Sequence, residues 1–132
     1  MKEGKVRHEY NYFGVERTNI SDASPLSAGK QTIKYEFIPA AAKPGTDGKC
    51  MLFVDGKQVA EGHIPKTVTF IFSEDEGTNF RLDAESSVSG DYKQEDNKFT
   101  GTIVKVTTDV SPPKLNAADQ KAPDDAAELA VD

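Results

Sequence analysis

Cysteine occurs once, at Cys50, so no internal disulfide and no cysteine-based zinc site can form. Cysteine usage therefore leaves the compartment open. No apolar run approaches the roughly 20 residues that cross a bilayer as a helix, so a membrane is not expected as a partner. Residues 1–20 are charged throughout, which excludes the apolar segment of a signal peptide within them. Positive charge is in deficit, with 16 Lys+Arg against 22 Asp+Glu and a net charge of -6. Nucleic acid is not expected as a partner either, because that affinity comes mainly from Lys and Arg displacing counterions from phosphates. The sequence also lacks a phosphate-binding glycine loop and a Gly-x-Ser-x-Gly nucleophile elbow. Before residue 111 no segment sustains an apolar stripe of period 3.6, which argues against a substantial helix there.

What is present reads as strands. The 132 residues fit one domain with no room for a second independent core. The hydrophobic fraction is only 36%, yet seven Phe and four Tyr exceed what a disordered chain carries, so part of the chain folds. From Val6, the residues Val6, His8, Tyr10 and Tyr12 alternate with Arg7, Glu9, Asn11 and Phe13, the period of a half-buried strand. Gly14 permits a reversal into a second strand over residues 15–20. Residues 30–38 repeat the pattern, with Ile33, Tyr35 and Phe37 inward and Thr32, Lys34 and Glu36 outward, and Pro39 ends that strand. After a Gly, Ala and Pro-rich loop at 39–48, strands over 50–54 and 57–62 flank Asp55-Gly56, a hairpin signal because both turn residues need positive φ. Residues 68–72 form a short apolar strand and residues 99–110 a longer one rich in β-branched side chains. Between them, 73–97 is acidic and loop-like, with one short strand at 80–83. Six to eight antiparallel strands with regular turns indicate an all-β sandwich or barrel over residues 1–110.

Composition changes after Val110. Residues 111–132 have no aromatic side chain and three prolines, and only Leu115, Leu129 and Val131 are sizeable apolar residues. Such a segment buries too little area to offset its ordering entropy, so a mostly disordered tail is expected. Five acidic residues (Asp119, Asp124, Asp125, Glu128, Asp132) against two basic ones (Lys114, Lys121) give it half of the net charge.

Residues capable of chemistry are few. His8 and His63 have no partner at metal or triad spacing, and structural or surface roles are the expectation for both. Glu74, Asp75 and Glu76 with Asp83, Glu85 and Asp91 could supply oxygen ligands to calcium, but they lack the alternating spacing of a calcium loop and read as a solvated acidic segment. Tyr10, Tyr12, Phe13 and Tyr35 are the right residues for a sugar-stacking platform, although alternating strand positions more often serve a core. Cys50 lies in an apolar run, where a thiol behaves as a small hydrophobe of low reactivity. No catalytic, cofactor-binding or metal residue is assigned, and no cofactor is expected.

Four blocks in order carry a resemblance: GKVRHEYNYFGVERTNI, PLSAGKQTIKYEF, LFVDGKQVAEGHIPKT with FIFSEDE, and DYKQEDNKFTGTIVKVTTDV. Over about residues 4–110 they resemble the C-terminal extension of long bacterial arylsulfatases. That resemblance implies a lectin-like antiparallel β-sandwich, a concanavalin or laminin-G type jelly roll, accessory to a sulfatase catalytic domain as its partner. It implies no sulfatase chemistry in this chain. The family's Cys or Ser, x, Pro, x, Arg motif is absent: only Pro113 has Ser or Cys two positions earlier, at Ser111, and position 115 is Leu. Cys50 is followed by Met-Leu-Phe-Val and fails as well. The family also has Gly before the residue that matches Asp83, where this chain has Leu82. In the longer proteins a segment like KEGKVRHEYNYFG follows earlier strands of the same domain, so the resemblance implies that Met1 begins inside the sandwich. A sandwich incomplete at its N-terminus would self-associate through its open edge. Carbohydrate is the alternative ligand class, bound by a free-standing lectin-like module.

Overall fold

The computed structural model describes residues 1–69, 88–92 and 97–111. These are all-β, with five strands in two antiparallel sheets and no helix among the described residues. Strand β1 (Arg7–Tyr12) pairs with β2 (Glu16–Ser21), and β3 (Ile33–Pro39), β4 (Gly48–Val54) and β5 (Lys57–Ile64) form a three-stranded sheet with β4 central.

Turn chemistry sets both hairpin registers. Asp55 (φ 48°) and Gly56 (φ 81°) lie in the left-handed region, as a two-residue hairpin turn requires, and Val54 pairs with Lys57 across them. The Asp55 carboxylate accepts from the Thr32 amide at 2.8 Å, which ties the turn to the start of β3. The first hairpin uses a longer loop. Phe13 (φ 55°) and Gly14 (φ 74°) reverse the chain, the Val15 amide donates to the Tyr12 carbonyl, and the Asn11 side chain accepts from the Gly14 amide at 2.7 Å. Val15 is consumed by that loop, so β2 begins at Glu16, one residue later than the alternation alone indicates.

The core lies where the hairpin crosses the larger sheet. Val6 and Ile20 from the hairpin side meet Cys50, Leu52 and Ile64 from the sheet, with Tyr10, Phe37, Val54, Val59 and Ala60 packed around them. Burying one such aliphatic side chain contributes about 1.5–3 kcal/mol. The closest approach is Ile20 on Gly62. A Cβ at position 62 would sit 2.6 Å from Ile20 Cγ1, so only glycine lets the two sheets come together there. A β-bulge between Leu52 and Phe53 on one strand and Gln58 and Ala60 on the other leaves Val59 as the extra residue. It restores the inward face at Ala60, Gly62 and Ile64 after a turn that would otherwise set β5 out of phase with β4.

The face assignments of β1 and β3 hold in orientation. His8 and Tyr10 face the larger sheet, and Ile33, Tyr35 and Phe37 pair with Val54, Leu52 and Cys50 on its inner side. Ile33 and Tyr35 lie at the margin and stay partly open, Tyr35 at 40% exposure. Residues 99–110 differ from expectation. They join no ladder among the described residues, and residues 102–111 run without turn or bend. β-branched composition favours an extended backbone, but a strand also needs a neighbouring edge, and none of the five described strands supplies one. Val68 and Thr69 are likewise outside any strand. The rest of the expected strand at 68–72, the one at 80–83, most of the acidic segment 73–97 and residues 112–132 of the tail lie outside the described residues.

Candidate functional site

Two places gather chemistry-bearing side chains. The first is the seam between the sheets. His8 stacks on Tyr35 with ring centroids 4.0 Å apart and planes inclined by 22°. Cys50, fully buried, directs its thiol toward the Gly62 carbonyl at 3.5 Å and is hydrogen-bonded with Tyr35. The Tyr10 hydroxyl accepts from the Val68 amide at 2.9 Å, fastening the segment that follows β5 to the hairpin. These positions follow from the strand period. His8 and Tyr10 are on one face of β1, Tyr35 on the facing side of β3, and Cys50 beside it on β4.

The electrostatics of the seam oppose reactivity. Burial pushes the Cys50 thiol up, so the nucleophilic thiolate is disfavoured. Burial, reinforced by Cys50 and Tyr10, pushes the Tyr35 hydroxyl up to about 12. Burial pushes His8 down, against a smaller opposing pull from Glu9, and its Nε2 is buried without a hydrogen-bond partner. Burial thus favours the neutral imidazole, which at this position serves packing against Tyr35.

The second place is the outer face of the hairpin. Glu9, with 9% of its side chain exposed, lies between Arg7 at 3.0 Å and Arg17 at 3.7 Å. The Arg7 guanidinium also bonds the Asn19 side chain, its Nε at 2.8 Å, and pairs with Asp91, whose other oxygen takes Lys2 at 2.7 Å. Hydrogen bonding to Lys2, followed by Arg7, holds the Asp91 carboxyl below the usual carboxylate range. The Arg17 side chain donates to the Val88 carbonyl. Residues 88–92 are thus clamped across the hairpin by charge. The sequence signal was present in the alternate positions of Arg7 and Glu9 on β1 and of Arg17 and Asn19 on β2, of which Glu9 and Asn19 are directly opposed, but without the register it does not reveal what the face binds.

The four aromatic residues proposed for a platform separate. Tyr10 and Tyr35 belong to the seam. Tyr12 and Phe13 meet edge to face with centroids 4.7 Å apart, and the Lys66 ammonium lies 4.3 Å from the Tyr12 ring centre. Phe13 is 51% exposed. His63 faces solvent beside Asp47, with Nε2 at 3.3 Å from the carboxylate. Asp91 is engaged by two cations, while Glu74, Asp75, Glu76, Asp83 and Glu85 lie outside the described residues. Among the described residues no group of three or more His, Cys, Asp or Glu could hold a metal ion.

Fold and site together define a class, an all-β protein whose titratable groups at the seam are packing elements. No family model, no curated protein and no solved structure matches the chain.

Proposed function

We propose that this chain is a non-catalytic accessory β-sandwich, of the lectin-like kind that stands C-terminal to the catalytic domain in arylsulfatase-family proteins, with that catalytic domain as its partner. The observation that carries the reading is the use of His8, Tyr35 and Cys50 as packing groups of the seam, with the thiol fully buried and its pKa raised. The two layers meeting at Ile20 and Gly62, and the ordered blocks over residues 4–110, support the family part of the proposal. Hydrolysis of a chromogenic aryl sulfate by the purified chain with added calcium tests it. No turnover above blank is expected. Turnover that survives repurification and is abolished by His8→Ala or Cys50→Ala contradicts it.

One observation favours a second reading, a free-standing carbohydrate-binding module. Phe13 is open to solvent beside Tyr12 and Lys66, a combination that can stack on a sugar ring and reach its hydroxyls. Titrating the chain with oligosaccharides while following tyrosine fluorescence separates the two readings. Saturable binding that Phe13→Ala abolishes selects the lectin. Absence of binding leaves the packing module.

A further inference from the structure

Residues 102–111 carry strand chemistry, and among the described residues they have no strand partner. They run without turn or bend, and among the described residues no backbone hydrogen bond engages them. Their side chains are open: Val104 is 73% exposed and Val110 85%. A run of β-branched residues whose amides and carbonyls lack a ladder is a template for pairing with another chain.

The sequence of the segment selects the partner. With a period of two, Val104, Val106, Thr108 and Val110 share one face, and Ile103, Lys105, Thr107 and Asp109 the other. An antiparallel pair of two identical segments centred on Thr107 sets Lys105 opposite Asp109 of the other copy, and Asp109 opposite its Lys105. The same register sets Val104 opposite Val110 and Val106 opposite Thr108, twice each. Neighbouring choices lose this match. Centring on 106 or 108 leaves both charges without an opposite partner, centring on 105 or 109 sets like charges face to face, and parallel in-register pairing does so at both positions. Directly opposed side chains are the unit of sheet stabilisation, and opposed like charges destabilise.

We propose that residues 102–111 pair antiparallel with the same residues of a second copy of this chain, in a twofold register centred on Thr107. The contact is isologous and closes at two copies. A single strand pair is small against the roughly 1,200 Å² of stable interfaces, so the dimer is weak and depends on protein concentration. This inference stands independently of the accessory-domain reading.

Sedimentation velocity over a concentration series, using the whole chain, provides the test. Wild-type protein is expected to shift from monomer to dimer as concentration rises. Lys105→Glu alone and Asp109→Lys alone each place two like-charged pairs across the twofold axis, and each should weaken the dimer by roughly tenfold or more. Both residues are exposed, so neither change should disturb folding. An equimolar mixture of the two variants restores opposite charges at both positions and should dimerise as a heteropair. Cysteine cross-linking checks the register. Thr107→Cys brings two thiols together at the axis and should oxidise to a covalent dimer, while Lys105→Cys holds them four residues apart and should not. A chain that stays monomeric up to millimolar concentration overturns the proposal. So does a dimer indifferent to the charge changes, or equal cross-linking at the two positions.

Discussion

The hairpin β1–β2 and residues 102–111 share an extended backbone and end in different states. Residues 102–111 are the richer in β-branched side chains, whereas β1 has none and β2 only Thr18 and Ile20. The hairpin is paired along its length and buries Ile20 against Gly62, whereas residues 102–111 have no ladder among the described residues and expose Val104 and Val110. Two features separate them. Phe13 and Gly14 take positive φ and return the chain onto itself, which supplies the hairpin with an edge at the cost of one short loop. The hairpin also carries opposite chemistries on its two faces, aromatic residues toward the sheet and the Arg7, Glu9 and Arg17 ladder outward, so its register is fixed from both sides. Among the described residues, 102–111 have no adjacent turn of that kind, and their charges match best in another copy of themselves.

The largest effect that sharpens this comparison comes from equal truncations in the two regions. Ile20→Ala removes the side chain that fills the space over Gly62 and should cost about 2–4 kcal/mol in urea unfolding. Val104→Ala, at an exposed position, should stay within about 0.5 kcal/mol when measured at a concentration where the chain is monomeric. Similar losses for the two would erase the distinction.

A smaller effect is expected at the second hairpin. Gly56→Val places a β-branched residue at φ 81° and should cost about 1–3 kcal/mol through backbone strain. Lys57→Ala, next to it and exposed, should stay within about 0.5 kcal/mol. Equal urea midpoints for these two variants would show that the turn does not set the register of β4 and β5.

The smallest effect concerns acid. Burial lowers the pKa of His8 in the folded chain, so the unfolded chain binds the proton more readily. The contribution of a neutral His8 is complete above the unfolded value of about 6.5 and declines as pH falls below it, levelling off below the folded value. His8→Phe keeps an aromatic ring on Tyr35 and removes the titration. Thermal midpoints between pH 7 and pH 5 should fall more for the wild-type chain than for this variant. Parallel decline in both would place the acid sensitivity elsewhere.

Much of the paired region was legible in the sequence because its signals are local. Asp55-Gly56 between two apolar runs marks a hairpin, the alternation of residues 6–12 separates the two faces of β1 although Phe13 leaves it for the turn, and that at 33–37 gives the side of β3 on which Phe37 packs while Ile33 and Tyr35 stay exposed at the margin. The bulge at Val59 was not legible, because it answers to the phase of β4 and not to anything in β5 itself. Nor was the clamp on residues 88–92, which joins Arg7 and Lys2 to Asp91 across more than eighty positions of chain. Residues 99–110 show the opposite limit. Their β-branched composition states a preference for extended backbone, while pairing depends on an edge that composition does not describe. The seam is legible in part: an apolar run marks Cys50 as a buried hydrophobe and the lack of a partner leaves His8 a structural or surface role, but the stacking of His8 on Tyr35 depends on how the hairpin lies over the sheet.

Amide hydrogen exchange on dilute, monomeric protein tests the central contrast most directly. The amides of β4, paired on both sides between β3 and β5, should exchange only through global unfolding, while those of residues 102–110 should exchange at rates close to an unstructured chain. Comparable protection in the two regions would contradict the account, because it would mean that residues 102–110 are already held in a ladder within the single chain.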